Sequence, residues 1–127
     1  ETMITVHDST SGRVFEDALC YSFYPIDLHD EKGVVPRHLK HGTVPTIPRG
    51  ALIPKGSKNI MVAGRCVSSD RLANSAARVQ ASSMGMGQAA AVTAVLAARL
   101  KTTPGEVPLE KIHAELKKHK AIVPARS

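Results

Sequence analysis

The stretch from Met84 to Leu100 is the feature that most restricts the fold, because almost every residue in it is small or apolar. A helix that is apolar all round is buried on several sides. We therefore predict a buried, Ala-rich helix that opens at Gly85 and Gly87. The apolar run is interrupted by polar residues and is shorter than a bilayer crossing requires. Its larger side chains fall near one stripe at helical spacing: Met84, Gln88, Val92, Val95, Leu96 and Leu100.

Residues 59–63, Asn-Ile-Met-Val-Ala, form the clearest candidate strand. This continuous apolar run ends at Gly64 and is typical of a strand buried on both faces. The predicted class is therefore mixed α and β, with one buried strand leading to the buried Gly-led helix. Before this strand we predict a strand over 2–6, a polar turn over 7–12, a helix over 13–19, an extended segment over 20–29, and short strands within 42–47 and 51–53. After it we predict a helix over 71–80, capped within Ser68 to Asp70. The last predicted element is an amphipathic helix that carries Leu109, Ile112, His113 and Leu116.

Composition predicts a chain that depends on a neighbour. With two Phe, two Tyr and no Trp, the core must be built from Ala, Met and aliphatic side chains, and Ala buries little area per residue. Bases concentrate in residues 32–127, which hold sixteen bases against four acids. Such a surface attracts anions, but the aromatics that interleave with bases in nucleic-acid-binding modules are absent. We expect neither a nucleic acid nor a membrane as partner.

The cysteines and histidines show no metal-binding pattern. Cys20 and Cys66 lack metal or redox spacing, and the six histidines do not cluster with them. We predict no metal site; a disulfide remains open, with buried free thiols as the favoured alternative. No catalytic acid or base can be assigned. Because the chain begins with Glu1, we expect the native N-terminus to lie upstream, and we expect a cytoplasmic protein.

Two glycine-containing motifs carry the functional signal. The first is the candidate strand with its turn at Gly64, where the missing Cβ lets the backbone approach a ligand closely. The second is Gly85-Met86-Gly87, where a helix start would present unshielded N–H groups and a positive dipole to an anion. Each motif also has a purely structural interpretation. The first is then an ordinary strand and turn, and the second a close contact between a helix and its neighbour.

Together the motifs resemble a family of bacterial FAD-dependent oxidoreductases, the xanthan-lyase-like proteins of the glutathione-reductase-type FAD fold. The resemblance covers roughly residues 13–122. The matching segments are Phe15–Ala18, Tyr24–Asp30, Ile47–Arg49, Leu52–Gly56, Asn59–Ser68, Arg78–Val79 and Met84–Ala90.

This resemblance implies the C-terminal part of a two-domain flavoprotein, with residues 1–58 on the substrate side and residues 59–127 in the FAD-binding domain. It implies that the Gly64 turn contacts the ribityl-pyrophosphate region and that Arg65 pairs with a phosphate. It also implies that Arg78 and Val79 lie near the flavin ring and that the Gly-led helix points at the pyrimidine edge. The implied FAD-contacting residues are Ala63, Gly64, Arg65, Cys66, Arg78, Val79, Gly85, Gly87, Gln88 and Ala89.

The resemblance further implies a partner. The Gly-x-Gly-x-x-Gly unit that holds the adenosine end of FAD is not in this sequence, so it would come from an N-terminal segment of the same protein or from a separate subunit. The isolated chain is expected to bind FAD weakly or not at all and to be inactive alone. The substrate would be an unidentified small organic molecule. The alternatives are a non-enzymatic anion- or nucleotide-binding module and a protein-interaction module.

Overall fold

The computed structural model describes residues 1–27, 29–30, 33–34 and 36–125. Leu28, part of the 24–30 motif, lies outside the described residues. The elements are α1 (Val6–Ser11), β1 (Ala18–Tyr21), β2 (His29–Asp30), β3 (Gly33–Val34), β4 (Thr46–Pro48), a 3₁₀ helix (Arg49–Leu52), α2 (Arg71–Ala77), α3 (Gln80–Leu100) and α4 (Leu109–Lys118).

The core forms where a small sheet meets two helices. β1 pairs antiparallel with β4, β2 pairs with β3, and α3 packs against both β1 and α4. His113 of α4 lies 2.8 Å through Nε2 from the carbonyl oxygen of Ala18, which ties α4 to β1. The largest fully buried side chains include Leu19, Ile47, Leu52, Met86, Ile112 and Leu116. Helices and sheet together confirm a mixed α and β class.

α3 differs from the predicted helix in two respects. It begins at Gln80 rather than at the glycines, and it is buried along one stripe only. Met84 is 75% exposed and Val95 is 49% exposed, so the prediction of burial on several sides is wrong. The physical reason is that β1 and α4 cover one side of the helix. The buried positions recur at helical spacing: Ser82, Met86, Ala89, Thr93 and Ala97.

The length of α3 also bears on membranes. The sequence predicted a run too short for a bilayer, but the 21-residue helix is long and apolar enough to cross one by length and composition. The mostly buried core helix of a soluble protein passes the same test, so length and composition alone do not identify a membrane span. About a quarter of the apolar window, 28%, is buried against the rest of the chain.

The predicted buried strand at 59–63 is wrong. Among the described residues no strand includes this segment or pairs with it, and Ile60 is 54% exposed. A strand buried on both faces needs hydrogen-bonded neighbours on both edges. Here the 3₁₀ helix offers one carbonyl, that of Leu52, which accepts a hydrogen bond from Val62 N at 2.8 Å. Met61 and Ala63 still pack against the core cluster.

The N-terminal predictions also need correction. Residues 6–11 form α1 in place of a polar turn, because Thr5 and Asp8 build a capping box. Only Ile4 of the predicted first strand makes a bridge, to Ser69. Residues 13–17 are not helical, and β1 replaces the end of the predicted helix, because β4 supplies an edge to pair with.

Other predictions agree with the structure. α2 begins after Asp70, which caps it by accepting a hydrogen bond from Ala73 N at 2.8 Å. α4 has the predicted buried face of Leu109, Ile112 and Leu116. β4 lies at the end of the predicted strand within 42–47, whereas residues 51–53 belong to the 3₁₀ helix and its exit rather than to a strand.

Candidate functional site

The Gly64 turn is the first part of the candidate site. Gly64 has a left-handed backbone with φ of 86°, a conformation that glycine adopts without the steric cost other residues incur. Its carbonyl accepts a hydrogen bond from Val67 N at 3.1 Å, which closes the turn. Arg65 is exposed and forms no ion pair among the described residues. Cys66 is an exposed free thiol that donates to the carbonyl oxygen of Ala63 at 3.3 Å, so the prediction of a buried thiol fails at this position.

The Gly64 turn packs beside the first turns of α3. A Cβ placed on Gly64 would lie 3.8 Å from Ser83 Oγ and 3.9 Å from Ser83 Cβ. Gly87 follows Ser83 by four residues and so lies on the same side of the helix. A Cβ placed on Gly87 would meet no atom within 4 Å. We call this surface, made of Ala63, Gly64, Arg65, Ser83 and Gly87, the glycine face.

The glycines do not open α3, contrary to the sequence prediction. Val79 is the N-cap, and Ser83 N already donates to the carbonyl oxygen of Val79 at 2.9 Å. Gly85 and Gly87 lie inside the helix, where amides bond to carbonyls four residues earlier. The helix starts earlier than predicted because α2 ends at Ala77 and Arg78 serves as its C-cap. Arg78 also donates through Nη2 to the carbonyl oxygen of Asp27 at 3.4 Å.

The remaining predicted residues of α3 lie on other sides. Gly85 is two residues from Gly87, a rotation of about 200° around the helix, and a Cβ there would lie 3.5 Å from Cys20 Cβ. Gln88 is exposed beside Gly85, and Ala89 is fully buried in the core. The structure thus places Gly64 against Ser83, with Gly87 one helical turn further along the same side of α3, and puts Gly85, Gln88 and Ala89 on other sides.

A groove lies on the Gly85 side of α3. Its volume is about 820 Å³, and β1, α3, the 42–44 loop and the segment after α4 all contribute to it. Leu19, Cys20 and Tyr21 come from β1, and Gly85 and Gln88 come from α3. We call it the β1–α3 groove. Burial raises the pKa of the Cys20 thiol to about 12, so this thiol is protonated and weakly nucleophilic at neutral pH.

Comparison with known proteins identifies the family. A family model described as FAD dependent oxidoreductase matches residues 1–116. The chain belongs to this FAD-dependent oxidoreductase family. No curated protein and no solved structure matches the chain. Family membership makes FAD the cofactor expected of the complete protein.

The glycine face of this FAD-dependent oxidoreductase chain has features that fit part of FAD. The Gly64 turn offers bare main chain, Gly87 leaves the helix surface open, and Arg65 is a cation suited to phosphate. No group of three or more His, Cys, Asp or Glu suitable for a metal ion occurs in the part of the chain that the structure describes. The glycine face itself offers bare main chain at Gly64 and one exposed cation, Arg65.

The α3 glycines have no explanation within the chain itself. At Gly85 an added Cβ would make only ordinary contact with Cys20, and at Gly87 it would meet open space. Neither glycine has a positive φ. Glycine within a helix is less stable than alanine by about 0.8–1 kcal/mol, so alanine at both positions would stabilise an otherwise Ala-rich helix. Packing among the described residues therefore does not require glycine at either position.

Sequence reasoning missed the β1–α3 groove. Of the predicted site residues only Gly85 and Gln88 line it, and β1 was not recognised because its first half, Ala18 and Leu19, was predicted as the end of a helix. One signal was available: a glycine inside an Ala-rich helical pattern usually has a packing or functional reason.

Proposed function

We propose that the glycine face forms one wall of an FAD site, which a partner segment completes. The Gly64 turn serves the ribityl-pyrophosphate region, and Arg65 pairs with a phosphate. Gly87 lets the flavin part of the cofactor approach α3. The complete protein transfers hydride or electrons between FAD and a small organic substrate, within a two-domain fold of the glutathione-reductase type.

The observation that carries this proposal is the packing of the Gly64 turn against Ser83. It brings a left-handed glycine to one side of α3, with Gly87 one helical turn further along the same side. Two backbone stretches without Cβ atoms therefore share one surface. A flat cofactor that must approach main chain closely requires this kind of surface.

The segment before Gly64 supports a partner segment. Ile60 is exposed, and the segment lacks a strand neighbour among the described residues. Backbone with apolar side chains that belongs to no sheet can pair with a strand of another segment. The N-terminal segment that carries the Gly-x-Gly-x-x-Gly unit, in the same protein or in a separate subunit, would pair here and supply the other wall of the FAD site.

The rival role as an anion-binding module depended on a helix that opens at Gly85 and Gly87. The N–H groups of these two residues lie inside α3, which begins at Gln80. They are therefore not the free donors of a helix start. FAD binding at the glycine face does not depend on such donors.

Titration with FAD tests the split site. We expect the isolated chain to leave flavin fluorescence almost unchanged, and we expect stoichiometric quenching once a segment with the Gly-x-Gly-x-x-Gly unit is added. Tight stoichiometric binding by the isolated chain would contradict the proposal.

A matched pair of variants tests the glycine face in the completed protein. Gly87→Leu should lower FAD affinity at least about tenfold, since a steric loss of 1.4 kcal/mol has that effect. Ala98→Leu, at an exposed α3 position three turns away, should leave the affinity unchanged. Equal FAD affinity of the two variants would show that Gly87 does not contact FAD.

A further inference from the structure

The β1–α3 groove has the size and surface of a small-molecule site. Ligand pockets usually enclose about 300–1,000 Å³ and are lined mainly by apolar groups, and this groove has a volume of about 820 Å³. Two large apolar side chains on its walls are mostly in water, with Phe23 74% exposed and Ile122 82% exposed. Covering them with an apolar ligand would be favourable because it removes this surface from water.

Gly85 keeps the α3 side of the groove open. The residue lies in the helix interior and lines the groove beside Cys20. The chain has room for a Cβ at this position, so packing within the described residues does not require glycine there. A ligand that contacts the helix backbone from inside the groove does require it.

The charges around the groove favour an anion. None of the residues that line it is acidic or basic. Two exposed lysines flank the lining segments, Lys40 before the 42–44 loop and Lys120 directly before Ala121. Neither forms an ion pair among the described residues, whereas the nearby carboxylate of Glu115 is paired with Lys118 at 3.1 Å.

The groove also contains polar groups that suit a carboxylate. The Tyr21 hydroxyl accepts a hydrogen bond from Ala125 N at 3.3 Å, which leaves its own hydrogen available for donation. The exposed amide of Gln88 adds two more possible donors. A ligand with an apolar body and one negative head group could contact the apolar walls and these polar groups at the same time.

We infer that the β1–α3 groove reversibly binds a small organic carboxylate with an apolar body. The groove lies on the side of α3 away from the glycine face, so this site is separate from the proposed FAD wall and does not depend on it. The apolar body contacts Phe23, Ile122 and the open surface at Gly85. The carboxylate faces the donors and the flanking lysines.

Titration of the 127-residue chain with octanoate, followed by amide NMR, tests the inference. We expect saturable shifts at Gly85, Cys20 and Tyr21, and none at Gly64 or Gly87. 1-Octanol and octylammonium have the same chain without the negative charge. 1-Octanol should bind about two- to fivefold more weakly than octanoate, which is the scale of exposed charge interactions. Octylammonium should bind at least about fivefold more weakly than octanoate, because its charge has the opposite sign. Added salt should reduce the difference.

Leucine substitutions on the two sides of α3 provide the matched control. Gly85→Leu fills the groove and should lower octanoate affinity at least about tenfold. Gly87→Leu adds the same side chain on the opposite side of the helix and should leave octanoate binding unchanged. Lys40→Glu with Lys120→Glu should weaken octanoate about two- to fivefold and leave 1-octanol unaffected.

A surface substitution covers the case in which Gly85→Leu does not fold. Ile122→Glu changes a mostly exposed wall residue, so folding should be preserved while octanoate affinity falls at least about fivefold. Val95→Glu on α3, outside the groove, is its control and should bind octanoate normally.

Several results would overturn the inference. Equal affinities for octanoate and 1-octanol would show that the groove does not recognise the negative charge of the ligand. Shifts confined to Gly64 and Gly87 would place the ligand on the other side of the helix. Sedimentation of the chain with anionic phosphatidylserine vesicles, prevented by Phe23→Asp, would identify the groove as a membrane-contacting surface. A dimer in solution that dissociates on Ile122→Glu would identify it as an interface between copies.

Discussion

Two regions of this molecule contain similar apolar residues but bury them to different extents. The packed region consists of β1, β4, α4 and the buried stripe of α3, and its apolar side chains meet one another in the core. The glycine segment, residues 58–66, also holds an apolar run, but Met61 and Ala63 are only partly buried against the core, Ile60 is exposed, and no strand pairs with the segment among the described residues. Apolar sequence therefore predicts burial only where the chain itself supplies a partner surface.

The glycines show the same contrast. In the 3₁₀ helix, Gly50 lies so close to Thr2 that an added Cβ would overlap the Cβ and hydroxyl of Thr2. At Gly85 and Gly87 a Cβ has room. Glycine at position 50 is therefore explained by contacts among the described residues, and glycine at the other two positions is not.

Alanine substitutions of isoleucine should separate the two regions most strongly. Ile112 is fully buried in α4, and Ile112→Ala should lower the free energy of unfolding by about 2–5 kcal/mol because it leaves a cavity. The control Ile60→Ala should change it by no more than about 0.5 kcal/mol. Urea denaturation measures both, and equal losses would show that the glycine segment is packed in solution.

Gly64→Ala tests the conformation at the end of the glycine segment. Its Cβ would have room, since the nearest atom is 3.8 Å away. The expected loss of about 1–2 kcal/mol therefore comes from the left-handed backbone alone. Gly64→Asn is the control, because asparagine tolerates this conformation better, and its loss in the same denaturation experiment should be smaller. Equal stabilities of Gly64→Ala and the unsubstituted chain would contradict the turn.

The carboxylate of Asp8 in α1 gives the stability of the chain a pH dependence. Burial acts to raise its pKa, but hydrogen bonds from Thr5 and Arg13 outweigh this and hold the pKa below the ordinary value of 3.8. The stabilisation is therefore complete above pH 3.8 and is lost as the pH falls through the lower folded-state pKa.

Asp8→Ala should accordingly lower stability at pH 7 by about 1 kcal/mol, the scale of losing the hydrogen bonds that its carboxylate accepts in the capping box. The difference from the unsubstituted chain should shrink as acid protonates Asp8. Thermal unfolding at a series of pH values measures it, with Glu16→Ala, which removes an exposed carboxylate, as control. If the stability difference between Asp8→Ala and the unsubstituted chain stays the same in strong acid, the negative charge of Asp8 does not stabilise the fold.

The smallest expected effects are increases in stability. Gly85→Ala and Gly87→Ala should each raise the free energy of unfolding by about 0.8–1 kcal/mol, the difference between the two residues in a helix interior. Denaturation midpoints of the two single variants and of the double variant check whether the gains add. A loss of stability at either position would show that the glycine serves packing within the chain, which would weaken the contrast drawn above.

Local sequence signals predicted the helices well where they were self-contained. The Asp70 cap identified α2, and the spacing of Leu109, Ile112 and Leu116 identified α4. The predicted helix over 13–19 was wrong because Val14, Phe15, Ala18 and Leu19 suit one face of a helix. Ala18 and Leu19 at its end instead belong to a strand, since β4 pairs with that strand. For the residues predicted at the FAD site, the sequence did not reveal that Gly64 packs against Ser83 or that Gly85 and Gly87 face opposite sides of α3.

The sequence by itself determined the family, the mixed class and the helices with caps or amphipathic faces, because these depend on motifs and on residues a few positions apart. The tertiary structure alone decided where α3 begins, which of its sides is covered and which glycines share a surface. These depend on contacts between segments far apart in the chain, such as Gly64 with Ser83 and Cys20 with Gly85. A linear pattern does not record such contacts, since the same residues satisfy local propensity in either arrangement.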